Sequence, residues 1–127
     1  MSKAKKDHIF DTLLELDGIE MFVDEKQSYL TRFRAKQIEP TKEKPHGINY
    51  SLTLHDPAGK RVLGYDNAHA TKATDGPGGK KTQSQDHIHR YDTIRPYKFK
   101  DVATLLTDFW ENVDKILTEK GAKKWRR

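Results

Sequence analysis

Two short polar strings hold most of the side chains that could do chemistry: Gly64-Tyr65-Asp66-Asn67-Ala68-His69 and Asp86-His87-Ile88-His89-Arg90. Three of the chain's six histidines lie in them. An imidazole titrates at about 6.5, so a histidine pair can hold one neutral and one protonated ring near neutral pH. RNA carries its own nucleophile, the 2′-hydroxyl. A ribonuclease that uses no metal therefore needs a base, an acid and a cation on the phosphate. His87, His89 and Arg90 supply those types, Asp66 or Asp86 can orient an imidazole, and His69 lies near enough in sequence to join them. The same residues suit a second chemistry, in which His87 and His89, with His69 or an aspartate, ligate a divalent metal in a nuclease or hydrolase. In a third reading the cluster only caps strand ends.

Strands must present these groups. Residues i and i+2 of a strand share a face, so His87 and His89 project together. Ile88 points the other way, under a covering helix, and Arg90 follows Ile88 unless the strand ends there and turns it. On the neighbouring strand Tyr65 and Asn67 share one face and Asp66 lies on the other with Val62. The expected site is a His-x-His pair with Arg90 near it, facing Tyr65 and Asn67, while Asp66 and Ile88 point away. Tyr65 is then a base-stacking platform and Asn67 a further nucleic-acid contact. His69 sits on a loop able to close over them, and His55 approaches if the polar face of its hairpin continues across. His8 and His46 have no visible partner.

The rest of the chain predicts the frame. Residues 7–17 carry a helical apolar stripe that Gly18 ends. Residues 19–23 and 29–38 are strand-like, and the second run alternates: Tyr29, Thr31, Phe33 and Ala35 on one face, Arg32, Arg34 and Lys36 on the other. That basic row is either a solvated face or a phosphate track. Residues 48–55 alternate cleanly, Asp56-Pro57-Ala58-Gly59-Lys60 is a hairpin turn, and residues 61–67 return. Residues 70–85 are glycine-rich and polar, and predict a mobile loop. A further strand spans 86–92, and Pro96 closes that region. From 101 to 119, Val102, Leu105, Leu106, Phe109, Trp110, Val113, Ile116 and Leu117 fall on one helical stripe. The predicted fold is one α+β domain over residues 7–119. It is an antiparallel sheet of four or five strands with a short N-terminal helix, and a long amphipathic C-terminal helix packed on one face.

Composition narrows the function. With 34% hydrophobic and 34% charged residues the core is lean and the surface heavily solvated. The absence of cysteine removes disulfides, thiolate metal sites and cysteine nucleophiles. No apolar run nears the roughly 18 residues of a membrane span. No apolar stretch follows the N-terminal lysines, so nothing reads as a signal peptide and a cytoplasmic location is expected. The net charge of +5 is uneven: residues 1–6 hold three lysines and residues 120–127 five basic residues, with no acid in either, leaving 16 basic against 19 acidic residues between them. Both ends are expected to be basic tails, the first disordered, which raise nucleic-acid affinity without specificity. No phosphate loop, dinucleotide fingerprint or zincin motif occurs.

The run Pro45-His46-Gly47-Ile48-Asn49-Tyr50-Ser51-Leu52-Thr53-Leu54-His55-Asp56, the two polar strings, Pro96-Tyr97-Lys98-Phe99 and Leu105-Leu106-Thr107-Asp108-Phe109-Trp110 together resemble the TumE family of small prokaryotic toxins. The likeness runs from about residue 20 to residue 119. It implies a toxin encoded beside a helix-turn-helix antitoxin that neutralises it by direct binding. Residue types then point to RNA as target and to metal-independent cleavage without a cofactor. The alternatives are the metal-dependent enzyme and a non-catalytic module that blocks its target through Arg32, Arg34, Lys36 and the tails.

Overall fold

The computed structural model describes residues 10–42, 44–67 and 86–124. A short helix over residues 10–15 (α1) leads into six strands: β1 Glu20–Phe22, β2 Leu30–Gln37, β3 Ile48–His55, β4 Arg61–Asp66, β5 His87–Arg90 and β6 Thr93–Pro96. A closing helix, α2, spans Val102–Glu119. The sheet is an antiparallel meander in chain order, β1 to β6. The expected α+β domain forms with one strand more than predicted.

One face of the sheet carries Thr31, Phe33 and Ala35 from β2, Tyr50, Leu52 and Leu54 from β3, and Leu63 and Tyr65 from β4, all buried. α2 lays Leu105, Phe109, Val113, Ile116 and Leu117 into the same core, and Leu13 of α1 joins it. Phe109 meets Phe33 and Tyr65 edge-on, with ring centroids 5.8 and 6.0 Å apart. The helix starts where its sequence says: the Asp101 carboxylate accepts from Thr104 N–H at 2.8 Å, a cap worth about 1 kcal/mol. It stops at Gly121, whose φ of +73° lets Ala122 N–H reach Leu117 C=O.

The C-terminus is less free than expected. Glu25 N–H donates to Lys123 C=O, Lys124 bridges to Asp24, and the Lys124 Nζ lies 3.5 Å from Asp114. The basic stretch is therefore tied into the fold as far as Lys124. Residues 1–6, the loop expected at 70–85 and residues 125–127 lie outside the described residues.

The missed strand, β6, follows β5 through a tight turn that the sequence does not announce. Tyr91 takes a φ of +54°, a left-handed conformation usually signalled by glycine or asparagine. Its neighbours compensate: Tyr91 N–H donates to Val62 C=O, its hydroxyl donates to Glu119, and Thr93 Oγ1 donates to Arg90 C=O. Pro96 is tolerated because β6 is an edge strand.

Candidate active site

The face of the sheet away from α2 carries the polar rows. In an antiparallel pair, directly opposed residues share a face. Arg34, Ser51, Asp66 and His87 form one row across β2 to β5, and Arg32, Thr53, Gly64 and His89 form the next. This register corrects the expectation for Asp66. Parity on β4 alone left its relation to β5 open, and the pairing Asp66↔His87 puts it on the histidine face.

His89 and Asp66 are in contact there, His89 Nε2 to Asp66 Oδ2 at 3.2 Å, with side chains 17% and 12% exposed. His87 stands beside them, its ring centroid 6.2 Å from that of His89. Burial lowers the His89 pKa below its ordinary 6.5; Asp66 opposes that shift, and the charges of Arg61 and His87 add to it. The ring is therefore held neutral near pH 7 although it touches a carboxylate. With its Nε2 proton donated to Asp66, its Nδ1 lone pair is left for a proton, a tautomer inferred from the contact.

Arg90 is not in this group. It keeps Ile88's parity, and its guanidinium NH2 sits 2.8 Å from Glu119 of α2. The alternative of a bend at the strand end does not occur, because β5 continues through its turn into β6. Tyr65 is also elsewhere. It is 1% exposed under α2, where its hydroxyl bonds Asp108 C=O and Asn112, so it offers no stacking platform. Asn67 is 1% exposed, accepting from Tyr50 N–H at 3.0 Å and donating to Ile48 C=O at 2.8 Å. It holds the end of β4 against β3 rather than facing a ligand. His69 lies outside the described residues. Arg32, Arg34 and Lys36 share one exposed face as expected, and the register shows it to be the histidine face, with Arg32 paired to Glu20 at 3.0 Å and Lys36 to Asp17 at 3.5 Å.

Two residues join the face that sequence reasoning did not place there securely. His55 lies opposite Arg61 at the end of β3 and shares a hydrogen bond with Thr53 Oγ1 at 3.0 Å. Burial and the nearby charge of Arg32 lower its pKa. Arg61 was missed. It is the first residue of β4, where the register shifts between Leu54 and His55, and its guanidinium lies over Gly64. A bulge changes which face a side chain meets, and no period-2 pattern records one.

His46 has a partner after all. Its Nε2 is 3.4 Å from Asp86 Oδ2, its ring packs 4.2 Å from Phe99, and Tyr50 donates to the same Asp86 oxygen at 2.6 Å. Tyr50 and Asp86 share the parity of the core face, so this second His–Asp pair lies on the opposite side of the sheet from the first. Among the described residues, no three His, Asp or Glu side chains gather so as to hold a metal ion. Among the described residues no helix is long and apolar enough to cross a membrane.

The family model for the toxin TumE matches residues 7–117. The chain belongs to the TumE toxin family. A TumE-family toxin is one component of a toxin–antitoxin system, and its partner is an antitoxin. No curated protein and no solved structure gives a match. For this TumE-family chain, membership gives the biological role.

Proposed function

We propose that this TumE-family toxin arrests growth by cleaving RNA at the histidine face, without a metal. The observation that carries this reading is the His89–Asp66 contact at 3.2 Å, beside His87 and among arginines. A base needs a neutral ring in a fixed tautomer, and burial with Asp66 supplies both. His89 takes the proton from a 2′-hydroxyl, and that oxygen attacks the adjacent phosphorus. The phosphorus–5′-oxygen bond breaks, and His87 gives the leaving oxygen its proton. The products are a 2′,3′-cyclic phosphate and a 5′-hydroxyl. Arg32, Arg34 and Lys36, on the same face, track the backbone and add salt-dependent affinity, as do the basic residues at both ends. The target is met in the cytoplasm, and the antitoxin is a helix-turn-helix protein encoded next to the toxin.

The test is the His87→Ala, His89→Ala double variant, induced in cells and assayed on single-stranded RNA after purification. It should relieve growth arrest and lower cleavage by about 10²–10⁴-fold, with an unchanged thermal melt. Cleavage by the parent should survive chelator and leave cyclic-phosphate ends. A folded double variant that remains toxic overturns this reading. Loss of cleavage in chelator moves the same residues to the metal-dependent alternative.

A further inference from the structure

A phosphodiester under attack gathers negative charge on its non-bridging oxygens, and a site that cleaves one must face that charge with fixed donors. The residue first expected to do this, Arg90, is engaged by Glu119 on the other side of the sheet. Arg61 stands on the correct side. Its Cδ lies 3.4 Å, and its Nε and NH1 each 3.6 Å, from where a Cβ on Gly64 would be. Gly64 is the direct cross-strand partner of His89. The guanidinium thus lies across the strand immediately beside the base.

Gly64 is not needed for backbone reasons, since its φ lies outside the left-handed region. Glycine inside a strand weakens it and marks a place where another group approaches closely. Here a Cβ would meet the Arg61 side chain in ordinary van der Waals contact, and a branched side chain would push it aside. Arg32 and Lys36 each have a carboxylate on the same surface, whereas among the described residues no carboxylate pairs with Arg61. Its planar set of donors remains available for a bidentate oxyanion contact. We propose that Arg61 is the phosphate-binding cation of this site, lying across Gly64 beside His89.

This inference rests on the RNA-cleavage reading, and the experiment separates the two. Full-length Arg61→Ala, Arg61→Lys, Gly64→Val and Arg90→Gln variants are compared with the parent and the double histidine variant on a labelled single-stranded RNA. Arg61→Ala should lower kcat by about 10²–10³-fold with a smaller change in KM. Added guanidinium should restore part of that loss, and Arg61→Lys should retain part of the activity. Gly64→Val keeps every charge but displaces the side chain, and should lose kcat to a similar extent while remaining folded by circular dichroism. Arg90→Gln should melt earlier and cleave normally. If Arg61→Ala cleaves like the parent while the double histidine variant is inactive, the role of Arg61 is overturned and the cleavage reading stands. That role is equally overturned if the loss in Arg61→Ala is matched by unfolding and guanidinium restores nothing. If the parent does not cleave RNA, or the double histidine variant cleaves as it does, the reading and this inference fall together.

Discussion

The chain builds two histidine–aspartate pairs near the same end of β4 and β5, and places them on opposite faces of the sheet. His89–Asp66 sits on the face away from α2, 3.2 Å apart, beside His87 and under the field of Arg61. His46–Asp86 sits on the core side, 3.4 Å apart, with Phe99 against the ring and the Tyr50 hydroxyl on the carboxylate. The residue types are the same and the surroundings are not. The first pair lies on the face that also carries Arg32, Arg34 and Arg61, with cations at hand for a phosphate. In the second, both His46 ring nitrogens are buried without a hydrogen bond among the described residues, and aromatic rings fill the space. Pairing alone does not make a site. The sign of the neighbouring charges, and whether aromatic rings fill the surroundings, decide which pair suits an anionic substrate and which holds the fold.

Removing one carboxylate charge puts the greatest load on this contrast. Asp66→Asn leaves the packing in place but replaces an acceptor-only carboxylate with an amide that can also donate, so the His89 tautomer is no longer fixed. Turnover on RNA should fall by about 10²–10⁴-fold, with little change in KM and a melting temperature near that of the parent. An Asp66→Asn protein that cleaves at the parent rate would show that the contact is structural and that the two pairs differ less than their settings suggest.

The reciprocal change should strike stability. Asp86 is 5% exposed and takes the Tyr50 hydroxyl at 2.6 Å. Burial and this carboxylate together hold the Tyr50 pKa far above its ordinary value, so the phenol stays a donor. Asp86→Ala strands that donor, at a cost of about 1–3 kcal/mol. The melting temperature should drop by several degrees, while kcat per folded molecule stays at the parent level. Loss of cleavage in a variant that still melts cooperatively would move the second pair into the reaction.

The frame of the site was legible because its signals are local. The alternation of Ile48–His55 and the stripe of Val102–Glu119 each reflect one buried face. The turn between β3 and β4 is written in Asp56, whose carboxylate accepts from Ala58 and Lys60 N–H, and in Gly59 with its φ of +88°. The site itself was legible only in part. Parity puts His87 with His89, but whether Asp66 joins them depends on the register between β4 and β5, which no single strand encodes. His46 reaches Asp86 across about forty positions of chain, a juxtaposition that exists only once β3 and β5 are in place. Arg61 depends on a bulge, and β6 on a tyrosine in a conformation more typical of glycine. What escaped the sequence was tertiary phase, meaning which row meets which.

Acidification gives the smallest expected effect and separates the two faces most finely. His89 and His55, both on the face away from α2, have pKa values lowered from 6.5, by burial first in each case. A group with a depressed folded pKa binds its proton more readily in the unfolded chain. Its contribution to stability is therefore complete above the unfolded value and is lost as pH falls through the folded one. Stability should decline gently below about pH 6.5 as these rings are forced to charge. Activity should follow the same base from the other direction. The acid limb of kcat/KM should lie below the ordinary histidine range, because His89 stays neutral there. Asp66→Asn removes the influence that raises its pKa and should carry the limb further down. Arg61→Gln removes one that lowers it and should carry the limb up. Opposite displacements of one limb by two neighbours of one ring are not what a general loss of folding produces. A limb that stays fixed in both variants would mean that His89 is not the titrating base.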